Sequence, residues 1–237
     1  MLRSVSRIAE RTIPFKWYSE LMPKTVEPAA QRALPGRKAQ AARNDEVILA
    51  AAREVFLADP KAPISAVAER AGVGISALYR RYPSKEELLR TLCYDGLHRY
   101  NVEAEAALAN SDGWTALVDF LRRVVDADVH SLVVHLAGTF TPDESILPEV
   151  HRSSDLNNEI LRRAQESGRL RLGVTVADFG LILESCAAVS LPDLIRTTQL
   201  RRRVLALLID GLAADGELPG PPPEPGEFAG RWQPRAK

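Results

Sequence analysis

The side chains in this chain that could hold a metal, attack a substrate or cradle a cofactor are few and scattered. The four histidines are His98, His130, His135 and His151. The i,i+5 spacing of His130 and His135 keeps that pair off a common helix face, so no metal-ligand spacing arises. Cys93 and Cys186 lie far apart, on stretches with helical periodicity. Two such thiols make neither a disulfide framework nor a zinc site and read as buried small hydrophobes in a reducing cytoplasm. No Ser/His/Asp or Cys/His pairing sits at a strand–helix elbow. Gly72-x-Gly74-x-x-Ala77 superficially fits a dinucleotide phosphate fingerprint. That fingerprint needs a strand before its first glycine, and Ile64 to Ala71 have helical spacing instead. A dinucleotide-binding enzyme is therefore the remote alternative; the expectation is no catalysis, no cofactor and no metal.

The same segment has the makings of a different device. Two short helices, at about 63–71 and 75–82, flank the turn Gly72-Val73-Gly74. Pro63 suits a first helical position, where its missing N–H costs nothing. Ala68 supplies a small residue where the helices touch, and Gly72 supplies the positive φ the turn needs. Val67, Ala71, Val73 and Leu78 supply apolar plugs. This is a helix-turn-helix, whose second helix is held rigidly with its far face free for a DNA major groove. Arg80 lies exposed on that helix, within reach of a phosphate or a guanine.

Flanking elements must position this device. Asn44 followed by Asp45 and Glu46 predicts a helix start, with Ile48, Ala52, Val55 and Phe56 on one face and a stop at Asp59-Pro60. Ser84 and Glu87 form a capping box for a long helix over about 84–108. Apolar periodicity recurs over 112–137, 152–167, 175–190 and 194–214, with a short helix possible from Asp143 to Val150 and a loop at 168–174. Residues 1–40 carry Pro14, Pro23, Pro28 and Pro35 and read as a flexible basic arm. Residues 216–237 hold a run of three prolines, Pro221 to Pro223, and read as a disordered tail. The expected fold is all-α: arm 1–40, DNA-binding domain 41–90, helical regulatory and dimerisation domain 91–215, tail 216–237.

Charge agrees with that division. The chain has 31 basic and 31 acidic residues, but residues 1–92 carry 16 against 10 and the remainder 15 against 21. A basic front and an acidic rear point to a polyanion meeting the N-terminal part. No apolar run approaches the roughly 18 residues that a membrane span needs, and the N-terminus lacks the apolar region of a secretory signal. The expected location is the cytoplasm.

From Arg43 through A-E-R-A-G-V-G-I-S-A-L-Y-R-R-Y-P-S-K-E-E-L-L the sequence resembles the DNA-binding domain of TetR-type transcriptional regulators. The resemblance implies a dimer that binds a near-palindromic duplex, usually a repressor released by a small-molecule effector. It implies base contacts from Ile75, Ser76 and Ala77, which Arg80 could join. It also implies phosphate contacts from Tyr79, Arg81 and Lys85, the last through its N–H or side chain. Three positions depart from the family pattern. Ser76-Ala77 replaces the common Gly-Thr, Ala62 stands where a Ser or Thr cap is usual, and Ala58-Asp59-Pro60 replaces the usual glycine after the first helix. Apolar Ile75 and Ala77 suit a thymine methyl, so direct readout is expected to be thin, with arginine and DNA shape carrying more.

In the C-terminal half, Trp114, Phe120, His130, His135, Phe140 and Phe179 are the residue types expected to line an effector pocket between helices. The last two helices are apolar enough to form a four-helix interface with a second copy. The alternative is a DNA-binding regulator with a packed, ligand-free C-terminal domain.

Overall fold

Arginine, lysine, alanine and glutamine fill positions 37–43, and all are strong helix formers. The first helix, α1, accordingly spans Gly36–Ala58 and passes straight through Asn44 and Asp45. Asn44 is therefore not its N-cap; a capping preference gives way where the preceding residues favour the helix. The computed structural model describes residues 36–136, 139–140, 142–213, 215–224 and 227, with side chains described from Arg43 onward and not at 133–135. The expected arm falls almost wholly outside these residues, and the end of the expected tail does too.

The described residues hold helices and one 3-10 turn, and no strand. After α1 come α2 (Ile64–Ala71), α3 (Ile75–Arg81), α4 (Lys85–Leu108), α5 (Gly113–Asp126), α6 (Val129–Leu136), α7 (Leu147–Glu166), α8 (Val176–Ala187) and α9 (Leu194–Leu212). Pro63 sits at the N-cap of α2, one place earlier than expected. The apolar stretch 112–137 is two helices. Asp128 adopts φ 50°, the left-handed region that ends a helix and that Asp tolerates better than most residues. Helix α7 begins at Leu147, earlier than periodicity alone suggests, because the 3-10 turn Glu144–Ile146, capped by Asp143, feeds directly into it.

Two apolar cores result. The N-terminal core joins Ile48, Ala52 and Phe56 of α1, Val67 and Ala68 of α2, Leu78 of α3, and Leu88 and Leu92 of α4. Leu132 and Leu136 of α6, with Phe140 after it, enter the same core. The second core gathers α5, α7, α8 and α9 around Trp114, Leu117, Phe120, Ile160, Phe179 and Leu205, with Ala104 and Ala107 from the far end of α4. Both cysteines are buried, and burial pushes each thiol up to about 11, so neither is a ready nucleophile at neutral pH.

Helix α4 is also clamped to α7 by polar groups. The buried Asn101 amide donates to the Glu149 carbonyl at 2.9 Å and to its carboxylate at 2.7 Å, and His98 Nδ1 lies 3.1 Å from that carboxylate. Burial would push the Glu149 carboxyl up, but the bonds from Asn101 and His98 and the charge of Arg152 outweigh it and hold it below its ordinary value.

The turn between α2 and α3 closes as a Schellman motif. Gly72 has φ 65°, its N–H bonds to Glu69 O at 3.1 Å, and the Val73 N–H reaches Ala68 O at 3.0 Å. A methyl group added at Gly72 meets no atom within 4 Å. Gly72→Ala should therefore cost only the backbone penalty, about 1–2 kcal/mol. Leu78→Ala, which empties a fully buried site, should cost about 2–5 kcal/mol. Urea denaturation of the two variants checks this order.

Candidate nucleic-acid interface

Helix α3 is short and almost all of it faces outward. Gly74 starts it, its carbonyl accepting from the Ala77 and Leu78 N–H groups at 2.9 and 3.1 Å. Leu78 points inward and is completely buried, and Tyr82 just beyond the helix is buried beside it. Residues at i and i+4 then stack on the outer side: Ile75 above Tyr79, and Ser76 above Arg80. Ile75 is 40% exposed and Tyr79 46%, and Ser76, Ala77 and Arg80 are exposed as well. The result is a protruding ridge with an apolar start, one hydroxyl, one phenol and one guanidinium, seated on a sealed leucine. Val67 and Ala68 are buried beneath it and Val73 is half-buried.

The three basic side chains of this region stand in different situations. Arg80 has no hydrogen-bond or ion-pair partner among the described residues and extends into solvent. Arg81 is engaged in a fork-to-fork pair with Asp45 of α1, its Nε donating to Oδ1 at 2.7 Å and its Nη2 to Oδ2. That hydrogen bonding to Asp45 raises the affinity of Arg81 for its proton. Lys85 turns back on the α1–α2 loop. Its ammonium donates to the carbonyls of Ala62 at 2.7 Å and Pro60 at 3.1 Å and lies 5.0 Å from the centre of the Phe56 ring. Burial pushes its pKa down, with Asp59 opposing.

Lys85 thus does locally what a capping side chain and a glycine do elsewhere. The loop turns through Asp59, whose carboxylate accepts from the Lys61 N–H at 2.8 Å and whose carbonyl accepts from Ala62 N–H at 3.0 Å. Pro63 offers no side-chain cap to α2. The Lys85 ammonium satisfies the loop carbonyls instead. Its backbone N–H remains at the first turn of α4, where Ser84 accepts from the Glu87 N–H at 3.0 Å and the helix end favours an anion. Sequence reasoning missed Asp45 and Asp59 as partners: each pairs across a turn or between helices, where no periodicity points.

The aromatics proposed for an effector pocket separate in space. Trp114, Phe120 and Phe179 are core residues. Phe120 packs edge-on against Tyr100 at 5.2 Å and lies 6.1 Å from Phe179. Phe140 borders an open cavity of about 230 Å³ between α4 and the segment before α7, with Arg90, Tyr94 and Pro142 among its walls. His130 borders a space of only about 10 Å³ beside Asp128 and Arg201, room for roughly one water. The side chain of His135 lies outside the described residues. Among the described residues no group of three or more histidine, cysteine or acidic side chains could hold a metal ion, and no helix is long and apolar enough to cross a membrane.

These geometries yield a split expectation for DNA binding. Lys85→Ala should lower the melting temperature while leaving the salt dependence of binding nearly unchanged, because its ammonium is turned onto the loop carbonyls rather than toward a bound phosphate. Asp45→Asn should release Arg81 and steepen the slope of log K against log salt by about one unit. Titration of duplex DNA at several salt concentrations reads both; an Asp45→Asn slope equal to that of the parent would mean Arg81 meets no phosphate.

Comparison with known proteins agrees with the helical plan. Residues 48–92 match the model for bacterial regulatory proteins of the tetR family, and residues 112–214 match the C-terminal domain of SbtR-like transcriptional regulators. The HTH-type transcriptional repressor LfrR of Mycolicibacterium smegmatis is 32% identical over 120 residues, which are 50% of this chain and 61% of that protein. The chain thus spans less than two thirds of that curated relative. A TetR transcription regulatory protein from Mycobacterium vanbaalenii, solved by crystallography, is 30% identical, with 75% of this chain and 99% of that one covered and a TM-score of 0.53. The crystal structure of LfrR from Mycobacterium smegmatis in complex with proflavine has a TM-score of 0.59 at 21% identity, covering 76% and 99% of the two chains. With a helix-turn-helix that matches over its whole length and a 30% identical relative covered almost end to end, the chain belongs to the TetR family of bacterial transcriptional regulators.

Proposed function

We propose that the protein is a transcriptional repressor that binds a near-palindromic duplex as a homodimer and lets go when a small molecule binds its C-terminal domain. The observation that carries this reading is the exposed outer ridge of α3 above the sealed Leu78. Ile75, Ser76, Ala77 and Arg80 face base edges in the major groove, and Tyr79 with the N-terminus of α4 meets phosphates. Arg81 joins them when it leaves Asp45. Arg80, which has no partner among the described residues, reads a guanine or a phosphate, and the two apolar positions meet thymine methyl groups.

The dimer is supported by apolar side chains left facing solvent on the last two helices. Leu181 of α8 is 43% exposed and Leu207 of α9 is 66% exposed. Two copies pairing these faces form a four-helix interface and place two recognition helices about one turn of duplex apart. Support for an effector comes from the relative crystallised with proflavine. The tight packing of Trp114, Phe120 and Phe179 favours a second reading, a regulator whose C-terminal core takes no ligand. In the first reading the core must open to admit the effector.

Selection from random duplexes should recover a two-fold symmetric site, and recovery of no preferred sequence would overturn the proposal. Leu207→Glu should shift the protein from dimer to monomer in sedimentation and weaken binding to the selected site at least tenfold, while half-site contacts persist. A thermal-shift screen of small organic molecules separates the two readings of the C-terminal domain, since only a ligand-binding core is stabilised.

A further inference from the structure

The α5–α6 corner is the place where the two ends of the molecule meet. Asp128 is the sole non-glycine residue with positive φ among those described. Its carboxylate accepts from Nη1 of Arg201 on α9 at 2.5 Å. Arg201 is buried, and it also donates to Ala187 O, the last carbonyl of α8, at 3.4 Å and to Val189 O just beyond that helix at 2.9 Å. Next to it, Arg202 pairs with Asp126 at 2.7 Å, so α9 grips the corner twice. On the other side the Asp128 carbonyl faces Arg53 of α1, whose Nη1 lies 3.4 Å away.

The two sides of the corner differ in tightness. Arg201 is fully engaged. Arg53 is mostly buried but loosely held: its Nη2 has no hydrogen-bond acceptor and lies 3.7 Å from Asp95 Oδ2 on α4. A buried guanidinium with long contacts on both sides gains from any small rotation of the α1 end that shortens one of them. Beyond the corner, α6 sends Leu132 and Leu136 into the core that seats α3. Movement of α8 and α9 therefore reaches the recognition helix by two routes, one polar through Asp128 and Arg53, the other apolar through α6.

We propose that Asp128 is a positioning residue for DNA binding: held by Arg201 and facing Arg53, it sets the tilt of the DNA-binding helices against α8–α9 and so the separation of the two recognition helices in a dimer. This rests on the reading above of a DNA-binding dimer. Asp128 touches no DNA in that reading; it acts through Arg53.

The test uses the full chain in three variants, Arg53→Gln, Asp128→Asn and both together. Asn tolerates the left-handed backbone, so the second variant keeps the corner's conformation. Arg53→Gln leaves the Arg201–Asp128 pair intact, which guards against loss of folding. Two quantities are measured. One is affinity for the selected duplex, for the same duplex with its spacer lengthened by one base pair, and for a single half-site. The other is the distance between spin labels on α2, at Glu69→Cys in each protomer, by pulsed electron paramagnetic resonance. The parent should disfavour the longer spacer by about tenfold, the range of an ordinary allosteric coupling. Each single variant should shrink that preference to about twofold or less, broaden the inter-label distances, keep half-site affinity, and add nothing in the double variant. Unchanged distances and spacer preference overturn the proposal, as does a loss shared equally by half-site and full site. A parent that gives no inter-label distance, or no selected duplex, overturns the dimer or the DNA reading itself and the inference with it.

Discussion

Burial of Leu132 and Leu136 of α6 in the core that seats the recognition helix is the contact on which the rest of the molecule depends. Each leucine removed from water contributes about 1.5–3 kcal/mol, and here that gain falls on the joint between two parts of the chain. The DNA-binding helices have no core of their own that excludes α6. Leu78, Leu88 and Leu92 pack in one continuous apolar volume with it. Helix α4 doubles the connection, carrying leucines into this core at one end and Ala104 and Ala107 into the other core at the far end. Close-packed interiors do not deform continuously, so these leucines tie the seat of α3 tightly to α6.

Polar groups refine what the apolar contacts hold. Glu149 and Asn101 join α4 to α7: the buried Asn101 amide donates both its protons to Glu149, while its Oδ1 has no hydrogen-bond partner among the described residues. The α5–α6 corner combines a left-handed aspartate with a buried arginine that also collects carbonyls at and just beyond the end of α8. Around the outer ridge of α3, free charge is sparse. Arg81 is matched by Asp45 and Lys85 by loop carbonyls, and Arg80 projects without a partner among the described residues.

Much of the fold was legible because its signals are local. The Gly72 turn, the Ser84 cap, the α2 and α4 limits and the breaks near Asp59-Pro60 each follow from residue types a few positions apart. The errors arose where local signals compete. Asn44 is a good cap, but strong helix formers run ahead of it, so α1 starts at Gly36. Periodicity runs on from 112 to 137, yet one aspartate in an unusual conformation divides it. Part of the α3 ridge was also readable from sequence, since spacing puts Ser76 and Arg80 on the side opposite Leu78, while the outward roles of Ile75 and Tyr79 rested on the family resemblance.

Sequence by itself determined that this chain is helical, that a helix-turn-helix lies between Ile64 and Tyr82, and that its outer face presents a tyrosine and arginines. Those outcomes depend on propensity, turn chemistry and the 3.6-residue period, all of which act over a few residues. Only the tertiary structure decided which of those cations stay available, because the partners of Arg81 and Lys85 lie 36 and 23 to 25 positions away. It alone decided that Trp114, Phe120 and Phe179 are packed core while Phe140 borders a cavity, and that Asp128 stands between Arg53 and Arg201. Hydrogen bonds and close packing depend on where distant segments come to rest, and no local pattern of residues encodes that.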